Sequence, residues 1–324
     1  RPMPPREVSQ LAPGDRVVVI GAGPAGLTAA YLLSKHGVST TVLEADDTVG
    51  GIARTVVYKD FRFDIGGHRF FTKMEVVQAL WEEILGDEFI SVPRLSRIHF
   101  NGRFFRYPLK AVDALKGLGP IDALRIVLSC VKWQLRPYPV EENFEQWVTN
   151  RFGKRLFEIF FKTYTEKVWG IPCTEIRAEW AAQRIQNLSL VRAILMATAI
   201  NQRPATIKTL IDEFKYPRLG PGQMWELCRD RVEATGNQVL LRHRVAIELR
   251  HGRVVAVRAQ TASGERRFEA DHVISTAAVR SLVRMFDPPA PQAVRSAGEG
   301  LRYRDFLLVA LILGRDNLFP DNWV

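Results

Sequence analysis

VVVIGAGPAGLTAAYLLSKHGVSTTVLEADDTVGGIART, residues 17–55, reads as strand, glycine turn, helix, strand, acidic residue and a second glycine pair. Val17 to Ile20 is an unbroken apolar run, as expected of a central parallel strand covered on both faces. Gly21, Ala22, Gly23, Pro24, Ala25 and Gly26 form a G-x-G-x-x-G turn. Its first glycine permits the tight bend, its second lets backbone approach a pyrophosphate, and its third lets the helix pack on the strand. The helix Ala25 to Lys35 aims its first amides at the phosphates. Thr41 to Leu43 is the next strand, closed by Glu44, whose carboxylate suits ribose hydroxyls. It repels a 2′-phosphate, which disfavours NADP. A lone G-x-G-x-x-G is weak; with the helix, the strand and Glu44 at the right distance it specifies a dinucleotide site.

NAD and FAD share this fingerprint, and the residues that follow decide between them. Ala45 and the acidic pair Asp46-Asp47 lead to Gly50-Gly51, where backbone can run close to a bulky ligand. Arg54 is placed to sit beside a pyrophosphate. A third glycine segment, Gly66-Gly67-His68, follows the strand-like run Phe61 to Phe63. These three segments together resemble the FAD-binding proteins of the glutathione-reductase type. The resemblance implies FAD as the cofactor, with the second glycine pair along it and the loop Gly66-Gly67-His68 at its ring. His68 is then either a structural histidine packed on the loop or a contact to flavin or substrate. By the same resemblance Val245 brings backbone to the adenine, and Thr276 ends a strand aimed at the cofactor crevice.

The chain has 324 residues, enough for two domains, with 47% hydrophobic and 25% charged residues, the balance of a globular protein. Arg1 in place of Met, and the apolar run Phe306 to Leu313 close to the end, are read as trimmed termini. No segment has the roughly 18 to 20 consecutive apolar residues that span a bilayer. Cys130, Cys173 and Cys228 include no C-x-x-C pair, which is read as buried thiols in a reducing, cytoplasmic compartment. The histidines are scattered, so no metal site is expected. The net charge of +10 is read first as a solvated basic surface, then as attraction to an anionic substrate, then as contact with an anionic membrane surface. Nucleic acid ranks last, because no reading motif accompanies the charge.

The expected fold class is α/β: a Rossmann-like FAD-binding domain, with a parallel sheet and a small antiparallel sheet, carrying a mostly helical substrate-domain insert. Residues 1–14 are expected to be a flexible leader, 15–72 the first part of the FAD domain, and 73–204 the insert. Residues 205–285 are expected to return to the FAD domain, and 286–324 to begin a substrate-domain sheet. Within the insert, Met74 to Leu85 has helical spacing, and Arg97 to Tyr107 is a hairpin turning at Asn101-Gly102. Ile121 to Leu135, Phe144 to Arg151, Arg155 to Thr163 and the apolar Leu188 to Ile200 read as helices; the last is read as a buried helix ahead of a lipid-facing one. Afterwards Gly222 to Arg231 reads as a helix. Strands follow at Val239 to Leu241, Val245 to Leu249, Val254 to Ala259, Arg266 to Ala270 and His272 to Thr276, with a turn at His251-Gly252.

One segment of the insert, Phe152 to Pro172, alternates aromatic and basic residues. Phe157, Phe160 and Phe161 are read as core, whereas Tyr164 and Trp169 have polar edges that want partners. The wording FFKTYTEKVWG, residues 160–170, and the loop GGHRF, residues 66–70, resemble the UDP-galactopyranose mutase family. They are also similar to the broader group of protoporphyrinogen oxidase and flavin amine oxidase. By that resemblance Tyr164 and Trp169 line a uridine-sugar pocket, Arg184 is a diphosphate partner, and Tyr216 to Gly222 is the return into the FAD domain. The first expected function is an FAD-dependent oxidoreductase that takes a hydride from a small-molecule substrate, with His68 and Arg184 as candidate catalytic groups. The alternative is a redox-neutral isomerase acting on a nucleotide sugar. The third reading is a flavin-binding module without turnover of its own.

Overall fold

The structure, a computed structural model, describes residues 11, 14–100, 102–106, 118–184, 213–315 and 318–323. The expected leader, apart from Leu11 and Gly14, and the expected helix Leu188 to Ile200 lie outside the described residues. The first segment builds β1 (Arg16–Ile20), α1 (Pro24–Lys35), β2 (Ser39–Leu43), the hairpin β3 (Thr55–Tyr58) and β4 (Phe61–Asp64), α2 (Glu75–Leu85) and β5 (Phe89–Pro93). The middle segment carries β6 (Arg97–Phe100), β7 (Arg103–Arg106), α3 (Pro120–Leu135) and α4 (Phe144–Phe152). A helical turn Lys154–Leu156 and a wide i→i+5 turn Phe157–Lys162 then run into α5 (Thr163–Trp169), and α6 (Ala178–Arg184) follows. The last segment comprises β8 (Glu213–Pro217), α7 (Gly222–Ala234), β9 (Gln238–Leu240), β10 (Arg244–Arg250), β11 (Arg253–Thr261), β12 (Gly264–Glu269), β13 (His272–Ser275), α8 (Val279–Met285), β14 (Phe286–Asp287) and α9 (Gln292–Gly300).

Four strands in the order β13-β1-β2-β9 form a wholly parallel sheet, with Val18 opposite both Val273 and Thr41 and Val42 opposite Val239. Successive side chains of a strand face opposite sides, and β1 uses both. Val17 and Val19 join Leu27, Ala30 and Tyr31 of α1, Ile84 and Leu85 of α2, and Met224, Trp225 and Val232 of α7 in one core. Val18 and Ile20 join Ile247 of β10 and Val257 and Ala259 of β11 in another. The parallel sheet is thus covered by helices on one face and, on the other, by the sheet β12-β11-β10-β14, antiparallel except for the short parallel pairing of β14 with β10. This is the expected Rossmann-like α/β architecture with a smaller antiparallel sheet. The turn between β10 and β11 has positive φ at both His251 and Gly252, the twist-matched geometry of a two-residue hairpin.

The chain divides into two compact units, Arg1–Val92 with Phe214–Ile312, and Pro93–Glu213 with Leu313–Val324. In this division residues 73–92, which the sequence groups with the helical insert, belong with the first unit. The physical reason is burial: Ile84, Leu85 and Phe89 sit in the core beneath β1 and α1. The second unit has its own core, in which Ile126 and Cys130 of α3 meet Phe144, Trp147 and Val148 of α4, Phe157, and Cys173, with Phe160 and Phe161 packed against it. All three phenylalanines read as core are therefore spent on packing. Asn143 caps α4 by accepting the Gln146 N–H at 3.0 Å. Phe306 to Leu313, read as strand-like, forms no ladder with a described strand, and its side chains are exposed. A strand needs a neighbour for its amides and carbonyls, and apolar spacing alone does not supply one. Among the described residues no helix is long and apolar enough to cross a membrane.

Among the described glycines the tightest approach is at Gly26. A Cβ there would lie 1.9 Å from the Gly21 carbonyl oxygen and 3.3 Å from a Val19 methyl. Both α1 and the turn would have to move apart. Gly26→Ala is expected to lower stability by about 1–3 kcal/mol or more, measured as the urea midpoint of the purified protein. An unchanged midpoint would mean that α1 does not rest on the turn as described.

Candidate functional site

The glycine turn between β1 and α1 is held from several directions at once. Gly21 has φ +100° and donates its N–H to the Leu43 carbonyl at 2.8 Å. A Cβ on Gly21 would meet the Thr276 hydroxyl at 2.5 Å. That hydroxyl is itself bound to the Ile20 carbonyl at 2.9 Å, so Thr276 closes the end of the parallel sheet against the turn. Buried Ala22 donates its N–H to Glu44 Oε2 at 2.7 Å and accepts from the Gly50 N–H at 2.9 Å. Glu44 Oε1 also accepts the Asp46 N–H at 2.9 Å. A carboxylate has roughly four lone-pair positions, so two remain for ribose hydroxyls. The carboxylate is thereby oriented by backbone before any ligand arrives.

Gly23 behaves differently from its two neighbours in the motif. It is the N-cap of α1, with φ −78°. A Cβ there would touch only the Gly51 Cα, at 3.8 Å. The fold does not need a glycine at this position, and the space beside it lies at a helix N-terminus where amides are free for an anion. Pro24 at the first helical position gives up an amide that would have had no partner. Exposed Ala25 follows. The Gly50-Gly51 turn thus faces the first turn, backbone to backbone, and a Cβ on Gly51 would lie 3.3 Å from the Gly23 Cα. Arg54 is paired with Asp46 at 2.5 Å, which holds the Asp46 carboxyl below the usual range, so its charge is already partnered. Exposed Ala45 lies between Glu44 and that pair. On the other side, His243 N–H binds the Glu44 carbonyl at 2.7 Å and Arg242 N–H binds the Asp46 carbonyl at 2.8 Å. These bonds bring the start of β10, and Val245 with it, to the same end of the sheet as Glu44.

The loop Gly66-Gly67-His68 stands on a second polar contact that the motifs do not announce. Tyr216 of β8 donates its hydroxyl to Asp64 Oδ2, at the end of β4. The return segment then packs so closely that a Cβ on Gly220 would strike the Thr55 hydroxyl at 2.4 Å, and Gly222 N–H donates to that hydroxyl at 3.0 Å. Burial raises the Asp64 carboxyl above the usual carboxylate range, outweighing the Tyr216 bond and the nearby His68, which lower it. Burial and the Asp64 bond likewise push the Tyr216 phenol well above its ordinary value. Two residues from Gly66, the His68 Nδ1 atom is buried and has no hydrogen-bond partner. A buried ring nitrogen left unpaired is costly, and a ligand or water at the loop would relieve it. The sequence reading reached the strand-like run Phe61 to Phe63 and took Tyr216 only as part of the return segment, not as a strand or a partner of Asp64, since residues 152 apart carry no local signal of contact.

In the helical unit, Tyr164 and Trp169 are 69% and 40% exposed, and the Trp169 ring meets Trp180 edge-on at 5.0 Å. Arg184 is the last residue of α6. The cysteines are free and buried, with burial pushing the Cys173 and Cys228 thiols up to about 12.

The family described as flavin containing amine oxidoreductase matches residues 24–322. Over 316 residues the chain is 25% identical to an L-amino-acid oxidase of Crotalus adamanteus, a match covering 89% of this chain and 56% of that protein. Over 175 residues it is 27% identical to a probable UDP-galactopyranose mutase of Klebsiella pneumoniae, covering 50% of this chain and 43% of that protein. Among solved structures, reduced UDP-galactopyranose mutase superposes with a TM-score of 0.73 at 23% identity, over 89% of this chain and 62% of that one. The chain spans about half the length of the curated relatives it matches.

Two measurements test the site. Gly23→Ala is expected to leave the urea midpoint of the ligand-free protein unchanged while weakening FAD binding about tenfold or more, because its methyl enters the phosphate space and nothing else; unchanged affinity would refute this placement. The Asp64 carboxyl is raised on folding, so its stabilising contribution is complete below about pH 4 and is lost as pH rises through its higher folded value. Asp64→Asn should therefore flatten the decline of thermal midpoint above pH 4, and Tyr216→Phe, which strips the donor, should cost about 1–3 kcal/mol. Parallel midpoint curves for wild type and Asp64→Asn would show that Asp64 is not held in this way.

Proposed function

The chain belongs to the flavin containing amine oxidoreductase family, and we propose that it is part of an FAD-dependent enzyme that rearranges a nucleotide sugar without net oxidation. FAD, when bound, supplies the reactive ring, and the protein supplies binding, orientation and charge. In this reading the pyrophosphate lies over the N-terminal amides of α1, beside the touching turns at Gly23 and Gly51, Glu44 takes the ribose hydroxyls, and Val245 backs the adenine. Gly66, Gly67 and His68 face the ring, with His68 Nδ1 free to accept or hold a proton there. Arg54 neutralises the acidic turn after Glu44 and keeps Asp46 from repelling the phosphates.

The observation that carries the choice of substrate is the fate of the FFKTYTEKVWG segment. Its phenylalanines are packed, whereas Tyr164 and Trp169, which have polar edges, stay exposed. Exposed rings with one hydrogen-bonding edge are suited to stack on a base and hold a sugar. This wording resembles that of the UDP-galactopyranose mutase family, and the match to a probable UDP-galactopyranose mutase of Klebsiella pneumoniae supports the comparison. Arg184 is assigned the diphosphate, whose charge a guanidinium meets bidentately. A second reading, hydride removal from an amine or amino acid, is favoured by the match to the L-amino-acid oxidase across 89% of the chain.

Titration of the flavin-loaded protein separates the two. The reduced protein is expected to show a change in flavin spectrum with UDP-galactose, with no hydrogen peroxide formed and no oxidant consumed. Tyr164→Ala and Trp169→Ala should each weaken that response about tenfold, the loss of one good stacking contact. Peroxide produced with an amino acid, and silence towards UDP-sugars, would give the protein to the second reading.

A further inference from the structure

One helix of the second unit turns a greasy side outward. In α3 the inner face is fully used: Ile126 and Cys130 are buried, and a Cβ on Gly153 would lie 2.7–2.9 Å from the backbone of Ser129 and Cys130. The Ser129 hydroxyl accepts the Arg155 N–H at 3.1 Å, and Asp122 holds the Arg155 guanidinium at 3.1 Å. The outer face carries Ile121, Leu124, Leu128, Val131 and Leu135, spaced three, four, three and four residues apart. At that spacing they form a single stripe, and they are between 50% and 77% exposed. Isolated exposed leucines are ordinary, but a continuous stripe of them marks a surface of interaction.

The charges beside the stripe choose its occupant. Arg125, Lys132 and Arg136 recur at helical spacing along one edge of it. The only acid of α3 is Asp122, and that carboxylate is taken by Arg155 and Arg125. Among the described residues neither Lys132 nor Arg136 has an acidic partner. A second copy of the helix laid along this face would bring cations and no carboxylate to meet them. A surface of phosphates supplies the missing charge, and the chain as a whole is cationic, at +10.

We propose that the outer face of α3 docks on an anionic lipid surface, with the aliphatic stripe entering the headgroup boundary and Arg125, Lys132 and Arg136 meeting lipid phosphates. A helix with an apolar face edged by cations lies in the plane of such a surface, and its affinity combines buried apolar area with charge attraction. The long cationic side chains lay their methylenes along the stripe and keep their heads at the phosphates.

Co-sedimentation of the whole chain with vesicles tests this. Wild type is expected to pellet with vesicles of equal parts phosphatidylglycerol and phosphatidylcholine, to stay in solution with phosphatidylcholine alone, and to release in high salt. Leu124→Glu with Leu128→Glu, and separately Lys132→Gln with Arg136→Gln, should each lower partitioning about tenfold or more, with thermal midpoints unchanged because every altered side chain is exposed. The second pair keeps the stripe intact, so a folding defect in the first cannot decide the result. No vesicle binding by wild type, equal binding to neutral vesicles, or variants that bind like wild type would each overturn the proposal. So would a dimer that dissociates in the glutamate variant and ignores lipid, which would assign the face to a second copy.

Discussion

The approach of α1 to β1 across Gly21 and Gly26 is the contact on which the first unit depends. There is no room for a single carbon between the two backbones at Gly26. Because the helix can come that near, its N-terminus opens directly above the end of β1, and Gly23 can expose its amides without filling the space before them. The same closeness sets Ala22 within reach of Glu44 and Gly50. One steric condition therefore produces an anion site, an oriented carboxylate and a second glycine turn in register with the first. The three motif glycines have separate reasons. Gly21 needs its positive φ, Gly26 needs its missing Cβ for packing, and Gly23 needs neither for the fold itself.

The two units are built on different principles. The first is layered, and β1 contributes alternate residues to a helical core and to a sheet core. The second is a cluster of aromatic and aliphatic side chains from α3, α4 and the wide turn Phe157–Lys162. That wide turn is a departure from regular helix of a kind often found where function displaces regularity. It carries the packed phenylalanines Phe157, Phe160 and Phe161 and runs straight into the exposed Tyr164 and Trp169.

Much was legible before any coordinates. The strand-turn-helix-strand order, the acidic residue after β2, the two-residue turn at His251-Gly252, and the core role of Phe157, Phe160 and Phe161 follow from local rules. Those rules act over a few residues, where sequence distance and spatial distance are the same thing. Helix α2 shows where they stop. Its apolar spacing announces a helix, but only its contact with α1 and α7 places it in the first unit. Phe306 to Leu313 shows the converse. Strand-like composition predicts a strand, yet a ladder requires a partner, and composition does not say which.

What the amino-acid sequence determined by itself is the identity of the local elements and the dinucleotide character of the first turn, because glycine, proline and a carboxylate at fixed offsets act on their own neighbours. What the tertiary structure alone decided is which distant groups meet. Tyr216 finds Asp64, Thr276 closes on Gly21, His68 is left with a buried unpaired nitrogen, and the outer face of α3 is left uncovered by any described element. Each of these depends on chain segments brought together by burial of apolar area. That force carries no direction and leaves no mark in the residues it joins.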